Sequence, residues 1–184
     1  MHTKLCIHNL IKNINLLNPV LINGFTKFLR NLKKLINCNM DYRSGCPISN
    51  LVDLVGDKWS LLIIRDFFLD RNTFKQFMES PEAIATNILT DRLKSLKSKG
   101  IIDFAFAPKN KKTKYYYLTD IGIDLYPVIY EMAMWSRRNL DKEFNEVATD
   151  WFTNNIDKEG HEVKAKSVEE YKIIRQDLFE LVQA

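Results

Sequence analysis

The hydrophobic period of this chain changes at Gly100. From Thr86 to Lys99, Leu89, Leu93 and Leu96 recur three and four residues apart, the spacing of one helix face. After Gly100 the stretch "IIDFAFA" alternates, with Ile102, Phe104 and Phe106 on one side, which is the period of a strand. Gly100 stands where a left-handed residue ends a helix. "KYYYL" then supplies a second run of strand-favouring aromatics. The spacing predicts a helix from Thr86 to Lys99 with Thr86 as its cap. A β-hairpin follows, with Pro108–Thr113 as its tip and Lys114 at the return.

The flanking segments are helical. "CPISNLVDLVGDKW" predicts a short helix opened by Pro47, with Ile48, Leu51, Val52 and Val55 at helical spacing. "KWSLLIIRDFFL" predicts a largely buried helix, in which Arg65 and Asp66 must be paired or lie at an edge. Thr73 is a cap for a short helix holding Phe74, Phe77 and Met78, and "SPEA" turns the chain. Thr119 caps a long helix with the stripe Leu125, Val128, Ile129, Met132 and Trp135, and Pro127 predicts a kink or break in it. One or two further helices are expected in 141–184, around "EVATDWF" and "EEYKIIRQDLFELV". Trp59 and Trp135 are read as buried structural aromatics in preference to ligand contacts. The fold class expected is mainly α with a small β-hairpin wing, and with additional terminal helices.

Charge divides the 184 residues into three. Residues 1–39 carry +6 with no acid, residues 40–140 carry +3 and residues 141–184 carry −5. The leader 1–39 is rich in Asn, Ile, Lys, Leu and Phe, and is read first as disordered or as translated upstream sequence with Met40 the native start. Its helical spacing from Phe25 to Ile36 also fits a basic amphipathic helix for a membrane surface, or an organelle-targeting segment. Residues 40–140 form the organised domain and 141–184 an acidic helical extension. No apolar run reaches the roughly 18 residues of a membrane span. The cysteines Cys6, Cys38 and Cys46 make no Cys-x-x-Cys pair, and His2, His8 and His161 form no ligand set. A reducing, cytoplasmic setting with no metal and no cofactor follows. Paired catalytic carboxylates, a phosphate-binding glycine loop and a nucleophile elbow are all absent from the sequence, so no enzyme is indicated.

Helices, then a capped helix, then a basic hairpin is the order of a winged helix-turn-helix, in which the capped helix enters the major groove. On a helical wheel, Asn87, Thr90, Asp91, Lys94 and Ser98 lie opposite the leucines. Asn and Lys can pair with base edges and Thr can meet a base or a phosphate. Asp91 either accepts from cytosine or pairs with Lys94. Between Arg92 and Lys114 there are eight bases, at 92, 94, 97, 99, 109, 111, 112 and 114, against the single acid Asp103. Lysine-rich turns alone are usually solvated, but cation concentrated on both supposed docking elements is the footprint of a polyanion. The tyrosines of "YYY" either pack on the fold or stack bases, and packing is favoured because alternate residues face inward.

Cys46-Pro47, "GDKWSLLIIRD", "TFKQF", "IATNILTDRLKSLKSKGII", "YYYLTDIG" and "LYPVI" with Trp135 resemble the HxlR family of bacterial winged-helix transcription regulators, which are similar to MarR-type proteins. The resemblance covers about residues 46–140. It implies a dimeric repressor or activator, a reading helix at Thr86–Lys99 and a wing at Ala107–Lys114. Ala85 stands where many members carry a capping Ser, which predicts a cap shifted to Thr86. The resemblance also implies a sensing cysteine at Cys46, held equally with a purely structural role. Its place at a helix start, near Arg43, would favour a thiolate.

These features together predict a homodimer on a pseudo-palindromic double-stranded DNA operator. The contacts assigned are Thr86, Asn87, Thr90, Asp91, Arg92, Lys94, Lys109, Lys111, Lys112 and Lys114. Leu51/Val55 and Met132/Trp135 are the expected interface stripes, and Cys46 is the candidate redox sensor. The alternative is a winged-helix interaction module whose basic wing binds an acidic protein.

Overall fold

The computed structural model describes residues 43–108 and 110–183, with backbone alone at 110 and 111. The leader 1–39, with Cys6, Cys38, His2 and His8, lies outside the described residues, as does Lys109. In chain order the elements are α1 (Pro47–Val55), α2 (Ser60–Phe67), α3 (Phe74–Met78), α4 (Thr86–Ser98), β1 (Ile102–Ala107), β2 (Asn110–Leu118), α5 (Asp120–Ile123), α6 (Tyr126–Asn139), α7 (Glu146–Asn155) and α8 (Gly160–Gln183).

Local chemistry explains most boundaries. Pro47 opens α1 at a position whose N–H would have no partner anyway. Asp57 closes the entry to α2, its carboxylate accepting from the Trp59 and Ser60 N–H groups (3.0 and 3.1 Å). Burial opposes the charge on Asp57, yet those bonds and Ser60 Oγ–H hold its carboxyl below the usual range. Thr73 and Gln76 form a reciprocal capping box at the start of α3. Gly100, at φ 71°, ends the run of α4 as the change of period requires.

The two strands pair antiparallel from Ile102↔Leu118 to Phe106↔Lys114, and then Ala107 pairs with Asn110. That shift folds residues 111–113 into the strand as a bulge. The tip is therefore shorter than Pro108–Thr113, and Lys111, Lys112 and Lys114 belong to β2. A bridge between Thr73 and Tyr115, with Tyr116 N–H donating to Asn72 O (2.7 Å), ties the hairpin to the α3 entry. Tyr116 packs edge-on against Phe77 and Phe104, and Tyr117 packs against Phe179 of α8. The expected packing of the tyrosines is what the structure has.

Thr119 caps only the four-residue α5, its hydroxyl accepting from Gly122 N–H. Gly122 is required there, because a Cβ would lie 2.2 Å from Ile101 O. The long helix expected from Thr119 is divided, and α6 restarts at Tyr126 with Pro127 in its first turn, where proline costs no hydrogen bond. The core gathers Ile63, Ile64 and Phe67 of α2, Phe77 of α3, Leu89, Leu93 and Leu96 of α4, and Ile102 and Leu118 of the hairpin. Val55 is part of this core and Leu51 packs on it, so they are not an interface stripe. The outward residues of α1 are Ile48 and Val52, 73% and 49% exposed. Trp59 packs on the core, but Trp135 is 55% exposed and is no buried structural aromatic. Among the described residues, no helix is long and apolar enough to cross a membrane.

Arg65 and Asp66 are paired, within a larger network. Asp66, almost fully buried, accepts from Arg65 Nε and Nη2 (3.0 and 2.6 Å) and from Arg71 Nη1 (2.9 Å). Arg65 Nη1 also donates to Glu82 (2.6 Å) in the turn between α3 and α4. Burial works against the Arg65 charge, but its bonds to Glu82 and Asp66 outweigh this and raise its pKa. The Arg65 hydrogen bonds lower the Glu82 carboxyl to about 2. A depressed carboxyl stabilises the fold above its usual value of 4.5, and that contribution is lost as pH falls towards about 2. Glu82→Gln should therefore lower the urea midpoint at pH 6 and narrow the gap between wild type and variant at pH 2.5, measured by circular dichroism.

Candidate nucleic-acid interface

Helix α4 is clamped along its length. Leu89, Leu93 and Leu96 are buried, which turns the opposite face to solvent. Near its middle, Arg92 Nη1 lies 3.3 Å from Asp57 at the start of α2. At its C-terminus, Lys99 Nζ donates to the carbonyls of Asp53 and Leu54 (3.2 and 2.7 Å), satisfying the open end of α1. Lys97 pairs with Asp103 of β1 and sits 4.5 Å over the Phe104 ring, which joins α4 to the hairpin.

The assigned residues separate under this geometry. Asn87, Asp91, Lys94 and Ser98 are exposed on the outward face of α4. Thr86 is exposed too, but it is the first helical residue and not the cap; the cap position is Ala85, which has no side chain to accept. Thr90 is half-buried, with its hydroxyl donating to Thr86 O (2.8 Å), so its methyl is the group left to face outward. Asp91 forms no ion pair with Lys94 among the described residues. Arg92 faces Asp57, and is an anchor more than a surface cation.

On the wing, Lys112 is exposed and Lys114 Nζ lies 4.3 Å over the Phe104 ring. The Lys111 side chain and all of Lys109 lie outside the described residues. Three of the eight bases between Arg92 and Lys114, namely Arg92, Lys97 and Lys99, are thus committed to internal partners. Cys46 is an exposed free thiol at the N-cap of α1. Arg43 pairs with Asp53 at 2.5 Å, so its charge is shared with a carboxylate.

Sequence reasoning missed the support under the wing. Leu118 N–H donates to Tyr171 Oη of α8 (2.8 Å), and Arg175 donates to Leu118 O and to Asp120 (3.1 and 2.8 Å). These partners are more than fifty residues apart, and no local period announces them. The empty cap of α4 has a direct consequence. Ala85→Ser should supply an acceptor for the open N–H groups and stabilise the protein by about 1 kcal/mol, read as a raised melting temperature.

Residues 54–144 match the model of the HxlR-like helix-turn-helix family. The HTH-type transcriptional regulator sll1512 of Synechocystis sp. is 34% identical over 98 residues, spanning 53% of this chain and 73% of the relative. The HTH-type transcriptional regulator YdeP of Bacillus subtilis is 28% identical over 114 residues, 62% of this chain and 89% of its own. The crystal structure of PA1607, a candidate transcription factor, shares 31% identity with a TM-score of 0.51, covering 56% of this chain and 73% of that one. The leucine-backed helix, the hairpin joined to it and these relatives agree: the chain belongs to the HxlR-like helix-turn-helix family, and is a transcriptional regulator of the winged helix-turn-helix type and not an enzyme.

Proposed function

We propose that the protein is a homodimeric, sequence-specific reader of double-stranded DNA. The observation that carries this is the outward face of α4, where Asn87, Asp91, Lys94 and Ser98 stand exposed on a helix whose other face is locked to the core. Asn87 lies in the first turn, where a reading helix approaches base edges closest, and an Asn there suits adenine. Lys94 and the wing lysines Lys109, Lys111, Lys112 and Lys114 act on phosphates, which position the protein and carry no sequence information. Arg92 acts indirectly, by holding the rotation of α4. Thr86 and Thr90 contribute shape and backbone contact.

Neutralising Lys109, Lys111 and Lys112 to Gln should weaken binding to every duplex alike. The slope of log K against log salt should flatten by roughly 0.9 for each phosphate contact removed. An unchanged slope would remove the wing from the interface and favour an acidic protein as its partner.

Dimerisation is supported by large apolar side chains left in solvent: Ile48 and Val52 on α1, and Met132 and Trp135, 50% and 55% exposed, on α6. A two-fold dimer would place two reading helices about one turn of DNA apart, ~10 bp. Trp135→Glu should convert the dimer to a monomer in light scattering at micromolar concentration, while leaving the circular dichroism spectrum in place. Cys46 adds a finer reading. Its exposed thiol begins the helix that carries Ile48 and Val52, so oxidation there would alter the dimer face. Oxidant should then change duplex affinity in wild type and leave Cys46→Ser unaffected.

A further inference from the structure

A cavity of about 740 Å³ opens between the C-terminal end of α2, α6, α7 and α8. Its walls are aromatic: Phe68, Tyr126, Tyr130, Trp151, Phe152 and Tyr171 all line it. These rings contact one another in tilted and edge-on pairs, with Phe68 4.6 Å from Tyr126 and 4.9 Å from Tyr171, and Trp151 5.8 Å from Tyr130. The volume lies in the roughly 300–1,000 Å³ range of small-molecule sites, and apolar walls with a few placed polar groups are their usual make-up. All of the lining from α7 and α8 falls beyond residue 144, outside the segment that matches the family.

We infer that this cavity is an effector site for an uncharged, planar aromatic molecule, coupled to the wing through Tyr171. The charge of the occupant follows from the walls. Arg65 and Arg71 reach the cavity, but both donate to the buried Asp66, and Arg65 also to Glu82. Glu170, at the rim, lies 3.6 Å from Lys166. Neither sign of charge is left over to attract an ion, whereas flat aromatic surface is offered on several sides. The Tyr126 hydroxyl and Ser167 are polar groups in the lining that can orient a ligand.

A second copy of the chain is a poorer fit to this space. On α6, Tyr126, Tyr130 and Ala133 face the cavity, while Met132 and Trp135 point roughly 140° away at 100° per residue. The proposed dimer face and the cavity are therefore opposite sides of one helix. The route to the wing is short. Tyr171 forms part of the cavity wall, and its hydroxyl accepts from Leu118 N–H, the last residue of β2. One turn further along α8, Arg175 holds Leu118 O and Asp120. An occupant that shifts α8 must load or release the base of the hairpin, and a ligand with different affinity for those two states biases them.

The test uses the full chain and N-phenyl-1-naphthylamine, an uncharged aromatic probe whose fluorescence rises in apolar surroundings. Saturable binding at one probe per chain is expected, with energy transfer from tryptophan that Trp151→Leu reduces. Ala148→Trp and, independently, Ala133→Phe should fill the cavity and weaken binding at least about tenfold, in whichever variant keeps the wild-type circular dichroism spectrum. Hydrogen exchange of the Leu118 amide should change on probe binding in wild type, and the probe-dependent change should shrink in Arg175→Gln, whose side chain holds Leu118 O from outside the cavity lining. Absence of saturable binding, or wild-type affinity in a folded cavity-filling variant, would overturn the site. Binding with no change at Leu118 would overturn the coupling. None of these readouts involves DNA, so their failure is separable from that of the DNA-reading proposal.

Discussion

The burial of Leu89, Leu93 and Leu96 is the constraint on which the site depends. Burying each is worth about 2 kcal/mol, so together they outweigh the surrounding ion pairs, which at partly exposed positions contribute about 0–1 kcal/mol each. The leucines therefore decide which face of α4 meets the core, and the polar face has nowhere to go but outward. The weaker contacts have a different role. Arg92 against Asp57, Lys99 against the open end of α1, and Lys97 against Asp103 fix how far α4 is rotated and where it sits along its axis. The Arg65–Glu82 bonds do the same for the turn that delivers the chain into α4.

Much of this was legible in the sequence, because it is written in local periods. The leucine spacing, the stop at Gly100, the alternation after it and the Thr73 cap each act within a few residues, and each is present as expected. Errors arose where a local rule met a longer-range competitor. Lys111 and Lys112 looked like loop residues, yet the bulge carries the strand through them. Val55 shares a stripe with Ile48 and Val52, but the end of α1 turns into the core and only the latter two remain outside. Counting charge between Arg92 and Lys114 overstated the free cation, since Asp57 holds Arg92, Asp103 holds Lys97 and two carbonyls together hold Lys99. Nothing in the spacing could have shown those partners. Thr90 was assigned by face alone, and its hydroxyl prefers the carbonyl one turn back, a competition open to every helical threonine.

The acidic C-terminal extension has a structural place that its composition did not disclose. Tyr171, Arg175 and Phe179 lie on one side of α8 and contact Leu118, Asp120 and Tyr117 at the base of the hairpin. Burial raises the pKa of the Tyr171 phenol, and the Leu118 N–H supplies the bond that a buried hydroxyl needs. Helix α6 lies between two environments, aromatic on the side of Tyr126 and Tyr130 and open to solvent at Met132 and Trp135. Helix α8 thus meets the helix-turn-helix at the root of its wing and again at the end of α2, where Phe68 packs on Tyr171.

The central claim is that the exposed face of α4 reads base sequence. Selection from a randomised duplex library at fixed salt, with wild type and Asn87→Ala in parallel, tests it most directly. The account predicts that wild type enriches a two-fold symmetric site with half-sites about 10 bp apart. The variant should lose preference at one base pair in each half-site, by about 1–3 kcal/mol, and keep the rest. Identical rankings of the library by the two proteins would contradict it.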